Sequence, residues 1–186
     1  MKRLLDRSLV FISVIVLFIP ILIIALAVKL TSKGPVLYWS DRVGRNNKIF
    51  SMPKFRSMRS DTPEVASHLL QEPDAWVTPI GNFLRKSSLD ELPQIWSVLK
   101  GEMSFVGPRP ALYNQSDLIA LRKEAGIDKL LPGVTGWAQI NGRDELSIEE
   151  KVIFDKEYLN KKSILFDLKI ILLTIIRIIK SDGIKH

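Results

Sequence analysis

Cysteine is absent from this sequence, and histidine occurs only as His68 and His186. Without thiols there is no disulfide framework, no thiolate nucleophile and no cysteine zinc site, and two histidines so far apart cannot build a histidine metal cluster. Any metal must then be held by oxygen, which makes Mg²⁺ the natural candidate. Internal repeats and low-complexity tracts are also missing. There is no Gly-Lys-Ser/Thr phosphate loop, which argues against an ATPase. No helix-turn-helix or aromatic RNA-binding motif is present, which argues against nucleic acid. A length of 186 residues allows one domain with its own core, but not two ordinary enzyme domains plus a membrane anchor.

What the sequence does hold is concentrated at its ends. Hydrophobic residues make up 46% of the chain, and the net charge is +7, suited to anionic lipid or to phosphates. The run Leu9–Val28 carries no charge and is long enough to cross a hydrocarbon core of about 30 Å as one helix. No small-x-small cleavage pattern follows it, so it does not read as a signal peptide. Pro20, near its middle, removes a backbone hydrogen bond and predicts a kink or break. Lys2, Arg3 and Arg7 flank one end and Lys29 and Lys33 the other, so charge bias gives no orientation. A tilted span and a re-entrant hairpin with both ends in the cytoplasm fit these residues equally. Asp6, among basic neighbours, is expected to be an interfacial ion-pair partner.

After the turn cluster Ser32-Lys33-Gly34-Pro35, Val36–Trp39 and Lys48–Met52 read as two short strands of a hairpin. The polar stretch Arg59–Ala75 is expected to be a loop holding a short helix. Ile80–Leu99 reads as two helical pieces divided at Ser87-Ser88, Gln115–Glu124 and Ile148–Leu159 as helices, and Pro132–Gly136 as a loop. In the apolar run Ile164–Ile179, Lys162, Lys169, Arg177 and Lys180 fall within about 80° of one another at 100° per residue. That pattern suits a helix lying in the membrane interface; a core helix of a soluble domain is the alternative. Asp167 falls opposite the basic stripe and needs a cation if buried.

The segment Ser87-Ser88-Leu89-Asp90-Glu91-Leu92-Pro93-Gln94 places two adjacent carboxylates at a helix start. Pro93 is tolerated only in a first turn, which puts the N-cap at Leu89 or Asp90. Simple capping, by Asp90 or by a Ser88/Glu91 capping box, accounts for the pair on its own. The cations nearby suggest more: Arg85 and Lys86 precede it, and Gly107-Pro108-Arg109-Pro110 and Asn141-Gly142-Arg143 set arginines on turns where a guanidinium can fork onto phosphate. A carboxylate at a helix N-terminus is kept ionised by the helix dipole, as a nucleophile or Mg²⁺ ligand requires.

The run Phe83–Gln94, continuing through Lys100–Pro110, strongly resembles the bacterial sugar transferase family of monotopic phosphoglycosyl transferases. Lys54-Phe55-Arg56-Ser57-Met58, Pro132–Gln139 and Asn141-Gly142-Arg143 match further family motifs in order, so the likeness covers nearly the whole chain. The resemblance implies that Asp90 is the nucleophile that attacks the β-phosphate of a UDP-sugar and releases UMP. Undecaprenyl or another polyprenyl phosphate would then take the sugar phosphate from Asp90, as the first membrane step of glycoconjugate assembly. Glu91 would help to hold Mg²⁺ with Asp90 or assist the transfer, and Arg85, Arg109, Arg143, Lys54 and Arg56 would bind substrate phosphate. The implied fold is α+β and mostly helical. It comprises a re-entrant helix over residues 1–31 broken at Pro20, and a catalytic domain over 32–186 with a small β-hairpin and an interfacial helix at 164–180. The implied place is the bacterial inner membrane, with the catalytic domain on the cytoplasmic face against membrane lipids.

Small family members break their re-entrant helix at a Ser-Pro pair, where this chain has Ile19-Pro20, and Ser40 stands where glutamine often precedes the Arg-x-Gly motif. A non-catalytic basic scaffold at the membrane surface is the competing class, and a homo-oligomer is compatible with either reading. The sugar is not legible; Arg59–Ala75 and Tyr113–Glu124 are the segments expected to set it.

Overall fold

The computed structural model describes residues 2–63, 73–142 and 145–180. Helix α1 (Lys2–Thr31) is followed by a hairpin, β1 (Leu37–Val43) and β2 (Ile49–Phe55). Then come α2 (Gly81–Lys86), a 3-10 helix (Leu89–Gln94), α3 (Ile95–Lys100), β3 (Ser104–Val106), β4 (Ala111–Leu112), α4 (Ser116–Glu124), β5 (Gly133–Thr135), α5 (Trp137–Ile140), α6 (Ile148–Lys161) and α7 (Ile164–Lys180). The fold is α+β and mostly helical, as the sequence predicts. Of the stretch Arg59–Ala75, where a short helix is expected, residues 64–72 lie outside the described residues, and a 3-10 turn occupies Pro73–Trp76.

The hairpin forms where expected and is longer. Asn46 and Asn47 take positive φ angles of 56° and 58°, conformations asparagine tolerates better than most residues, and this reverses the chain between the strands. β1 pairs antiparallel with both β2 and β4, giving the sheet order β2-β1-β4. In the β1–β2 register Tyr38 faces Lys54 and Arg42 faces Phe50, so Tyr38, Ser40 and Arg42 lie on one face with Lys54.

Pro132–Gly136 is not a loop throughout: Gly133–Thr135 pairs in parallel with β3. Local punctuation by glycine and proline was outweighed by a distant partner, because these glycines serve close backbone approach. A Cβ on Gly133 would lie 2.1 Å from the Gly107 nitrogen, and one on Gly136 would lie 2.1 Å from the Gly107 carbonyl oxygen.

α1 also departs from expectation. Its helical backbone continues through Pro20 without a break, where the sequence predicts a kink or break. Proline deletes one hydrogen bond of the ladder, and the strongly apolar turns on both sides retain the rest. The helix is long and apolar enough to cross a membrane, and only 11% of its most apolar window is buried against the domain. A helix so apolar and so exposed associates with a membrane.

Both ends of α1 hold the same domain. Near its start, Lys2 Nζ donates to Asp167 (2.5 Å), Tyr158 (3.0 Å) and the Val106 carbonyl (3.0 Å). Tyr158 O–H donates to the other Asp167 oxygen at 2.7 Å. Buried Asp167 thus has the cation its position demands. Asp6 is buried as well, and it is not the interfacial ion-pair partner expected: it accepts from Ser104 Oγ (3.0 Å) and the Phe105 N–H (3.1 Å). At the other end, Ile24 and Val28 form a core cluster with Phe55 and Leu84, while Val10 belongs to a second cluster with Met52, Val98 and Met103. Between Val10 and Ile24 no residue of the helix is buried.

α7 buries Asp167 and Ile170 and leaves Leu165, Leu168, Leu172, Ile175 and Ile176 exposed as one stripe. Lys169, beside that stripe, stands 5.8 Å from the Trp137 ring centre.

Gly133→Ala is expected to lower stability by about 1–3 kcal/mol, since the added methyl must displace backbone rather than a flexible side chain. Gly126 serves as the control: its added methyl meets nothing within 4 Å, and Ala there costs only the positive φ of 72°. Thermal melts of the detergent-solubilised variants compare them, and equal melting temperatures would remove the close-approach argument.

Candidate active site

Ser88 sets the geometry of the paired carboxylates. At φ 57° and ψ 18° it is left-handed, a conformation that costs an L-residue about 1–2 kcal/mol, and it reverses the chain out of α2. The 3-10 helix follows. At three residues per turn, Leu89 and Leu92 fall on one edge, and both pack on the cluster of Ile24, Val28, Phe55 and Leu84. Pinning that edge in the core turns Asp90 and Glu91 onto the other two edges. Both carboxylates are 8% exposed, at the face where the 3-10 helix packs against β2.

The capping roles anticipated for this segment are not what the structure shows. Ser88 is the N-cap, rather than Leu89 or Asp90, and its side chain makes no capping bond. Pro93 lies at the end of the 3-10 turn, not in the first turn of an α-helix. Lacking an N–H, it cannot close an α-helical bond to Leu89, so α-helix begins only at Ile95.

Glu91 is held by two cations from different elements. Lys54 Nζ, on β2, donates to Oε1 at 2.8 Å, and Arg109 Nη2, on the Gly107–Pro110 loop, donates to the same oxygen at 2.9 Å. Burial is the largest influence on Lys54 and pushes its ammonium below the ordinary lysine range; Arg109 and Arg42 push the same way, while Glu91 and Asp90 oppose them. The pair is well shielded, with Lys54 15% and Glu91 10% exposed at their side chains.

Of the residues singled out from the sequence, Lys54, Glu91 and Arg109 converge, Asp90 adjoins them, and Arg85 is buried in the last turn of α2 just before the dyad. Arg56 goes elsewhere. Its guanidinium donates to the carbonyls of Ser32 and Lys33 and to Ser32 Oγ, closing the end of α1. Its backbone still continues the hairpin register, the Arg56 N–H donating to the Val36 carbonyl at 2.9 Å, but its side chain is captured by the end of α1 instead of the dyad. Arg143 lies outside the described residues. Two arginines not singled out as phosphate ligands also belong to this region. Arg42 Nη1 donates to the Pro110 carbonyl at 3.2 Å, and Arg122 Nη1 to the Arg109 carbonyl at 2.8 Å. Arg42 was discernible only through the Arg-x-Gly turn, and Arg122 reads in sequence as one more solvated helix cation.

Among the described residues, no group of three or more His, Cys, Asp or Glu side chains is set to hold a metal ion. A divalent ion at the dyad has two carboxylates from the chain, of which Glu91 already neutralises Lys54 and Arg109. Asp90 and Glu91 would be the residues to hold Mg²⁺, which prefers one or two carboxylates completed by phosphate oxygens.

A sequence profile described as "Bacterial sugar transferase" matches residues 1–181. The chain belongs to the bacterial sugar transferase family. Relatives within the family include the uncharacterized sugar transferase EpsL of Bacillus subtilis, 38% identical over 186 residues, covering 100% of this chain and 91% of that protein. The UDP-glucose:undecaprenyl-phosphate glucose-1-phosphate transferase of Escherichia coli is 44% identical over 95% of this chain, but only 40% of its own length is covered. An undecaprenyl-phosphate glucose phosphotransferase of Komagataeibacter xylinus is 45% identical over 83% of the chain and 31% of its own length.

Glu91→Gln removes the largest influence that raises the Lys54 pKa, so the ammonium of the variant loses its proton at lower pH than in the parent. Pyrophosphate binding, followed by calorimetry from neutral to alkaline pH, is expected to weaken at lower pH in Glu91→Gln. Coincident pH profiles for variant and parent would dissociate Lys54 from phosphate binding.

Proposed function

We propose that this chain transfers a sugar 1-phosphate from a UDP-sugar to undecaprenyl phosphate through a covalent intermediate on Asp90. The observation that carries the reading is a buried carboxylate pair on a strained 3-10 turn, faced by two cations from separate elements. The kinship with glucose-1-phosphate transferases supplies the substrate class.

In this reading Lys54 and Arg109 leave Glu91 for the diphosphate and stabilise the charge that develops on it. An Asp90 carboxylate oxygen attacks the β-phosphorus, the bond from that phosphorus to the bridging oxygen breaks, and UMP leaves with the bridging oxygen. Asp90 then carries the sugar phosphate as an acyl phosphate. A phosphate oxygen of undecaprenyl phosphate attacks the same phosphorus, the bond from that phosphorus to the Asp90 oxygen breaks, and Asp90 is restored as a carboxylate beside an undecaprenyl diphosphate sugar. Mg²⁺, held by Asp90 and Glu91 with the diphosphate oxygens, would neutralise charge on the leaving group.

UDP-glucose is the first substrate to test and UDP-galactose the second, since a Streptococcus agalactiae relative at 40% identity is a galactosyl transferase. With undecaprenyl phosphate withheld, the detergent-purified protein is expected to release a burst of about one equivalent of UMP and to retain labelled sugar phosphate. Asp90→Asn should abolish both. A variant that still releases UMP at the parental rate would refute Asp90 as nucleophile.

The same reading places α1 in the bacterial inner membrane as a re-entrant element, with the domain on the cytoplasmic face. What supports this is that Lys2 and Ser32, near the two ends of the helix, both bond to the one domain. A spanning helix delivers its ends to opposite sides of a core about 30 Å thick, where one domain cannot hold both. The exposed apolar stripe of α7 lies in the interface in this arrangement, with Lys169 and Arg177 toward the head groups. The chain has no native cysteine, so Leu4→Cys and Lys33→Cys give clean reporters. A membrane-impermeant maleimide should label both from the cytoplasmic side, and labelling from opposite sides would exclude the re-entrant form.

A further inference from the structure

The Gly107–Pro110 loop presents Arg109 to the dyad, yet its two prolines leave it few donors of its own. Its stability must come from what holds its carbonyls. Three in succession are held by three different donors. The Pro108 carbonyl accepts from the Gly133 N–H at 2.9 Å, the Arg109 carbonyl from Arg122 Nη1 at 2.8 Å, and the Pro110 carbonyl from Arg42 Nη1 at 3.2 Å.

Arg122 is the donor that reaches furthest from the site. On α4, its Nε and Nη2 both donate to Asp155 Oδ2, at 2.9 and 2.6 Å, and Asp155 on α6 is 1% exposed. Arg122 itself is 11% exposed. A buried ion pair of this kind is seldom the most stable way to fill its volume, because desolvation of both charges offsets much of their attraction. The guanidinium is planar, so Asp155 fixes its orientation and thereby aims the third nitrogen. That nitrogen lands on the backbone of the residue whose side chain holds Glu91.

We infer that Arg122, clamped by Asp155, is a positioning residue for the transfer reaction: it fixes the backbone of Arg109 so that the guanidinium meets the diphosphate of the nucleotide sugar. The inference rests on the transferase reading of the site. Asp155 sets Arg122, Arg122 sets the Arg109 carbonyl, and the Arg109 guanidinium engages Glu91 before substrate arrives.

Removing Arg122 alone strands a buried carboxylate, so the informative variants keep the packing. Arg122→Met combined with Asp155→Leu replaces the pair by apolar side chains and deletes the bond to Arg109. Arg122→Lys keeps a cation for Asp155 but lacks a second, fixed arm for the carbonyl. In UMP-release assays with UDP-glucose, or with the UDP-sugar the parent accepts, both variants are expected to raise KM about tenfold while kcat falls less. Misplacement of a binding group by a fraction of an ångström has effects of this order. Arg109→Ala should bring no further loss in the double variant comparable to its effect in the parent. Parental KM in either folded variant overturns the inference, whatever its melting temperature. A parent that releases no UMP from any UDP-sugar instead refutes the transferase reading. Amide exchange at Gly107 and Gly133 then decides the matter: faster exchange in Arg122→Lys supports the inference, and unchanged exchange overturns it.

Discussion

One carboxylate, Glu91, accepts hydrogen bonds from Lys54 at one oxygen and from Arg109 at both, and much of the domain is arranged around that contact. Its two donors come from parts of the chain that share no secondary structure. Lys54 arrives on β2, an edge strand of the three-stranded sheet, and Arg109 on a proline-flanked loop between the two small sheets. Neither cation is stable in a half-buried site without a counter-charge, and Glu91 is unstable there without them. Burial lowers the Lys54 pKa even against the pull of Glu91. In the proposed reaction a diphosphate would exchange for Glu91 as the counter-charge of two donors that are already desolvated.

The hydrophobic contacts explain why the carboxylates stand where they do. Leu89 and Leu92 tie one edge of the 3-10 turn to the same cluster that receives Ile24 and Val28 of α1. The apolar helix and the turn of the paired carboxylates therefore share a core, and the position of one constrains the other. Gly107, Gly133 and Gly136 do the equivalent for the loop of Arg109, through backbone packed on backbone.

Local chemistry made much of this legible in the sequence. The hairpin followed from asparagine-rich turn chemistry, the division of Ile80–Leu99 from the two serines, and the need of Asp167 for a cation from its place on the helix. Non-local features were less legible. That the cation is Lys2, at the other end of the chain, could not be read from periodicity, nor could the pairing of Gly133–Thr135 with a strand some thirty residues earlier. The dyad was read as an α-helix start because Pro93 limits that start, whereas i→i+3 bonding meets the same limit with tighter geometry. Arg56 and Arg122 show why residue type alone misassigns roles. One is a motif cation engaged with the end of α1, and the other is an inconspicuous helix residue holding the Arg109 backbone.

The clasp of Lys2 on Asp167 joins residues 165 positions apart. During synthesis the first helix emerges early, with Lys2 and Asp6 unmatched, and must wait for β3, α6 and α7 before its start has anything to hold. Contacts of such long sequence separation form late. Assembly of this protein therefore closes like a ring: a helix made before the domain it grips is among the last segments to be locked, and a chain arrested short of α7 leaves that helix tethered at one end only.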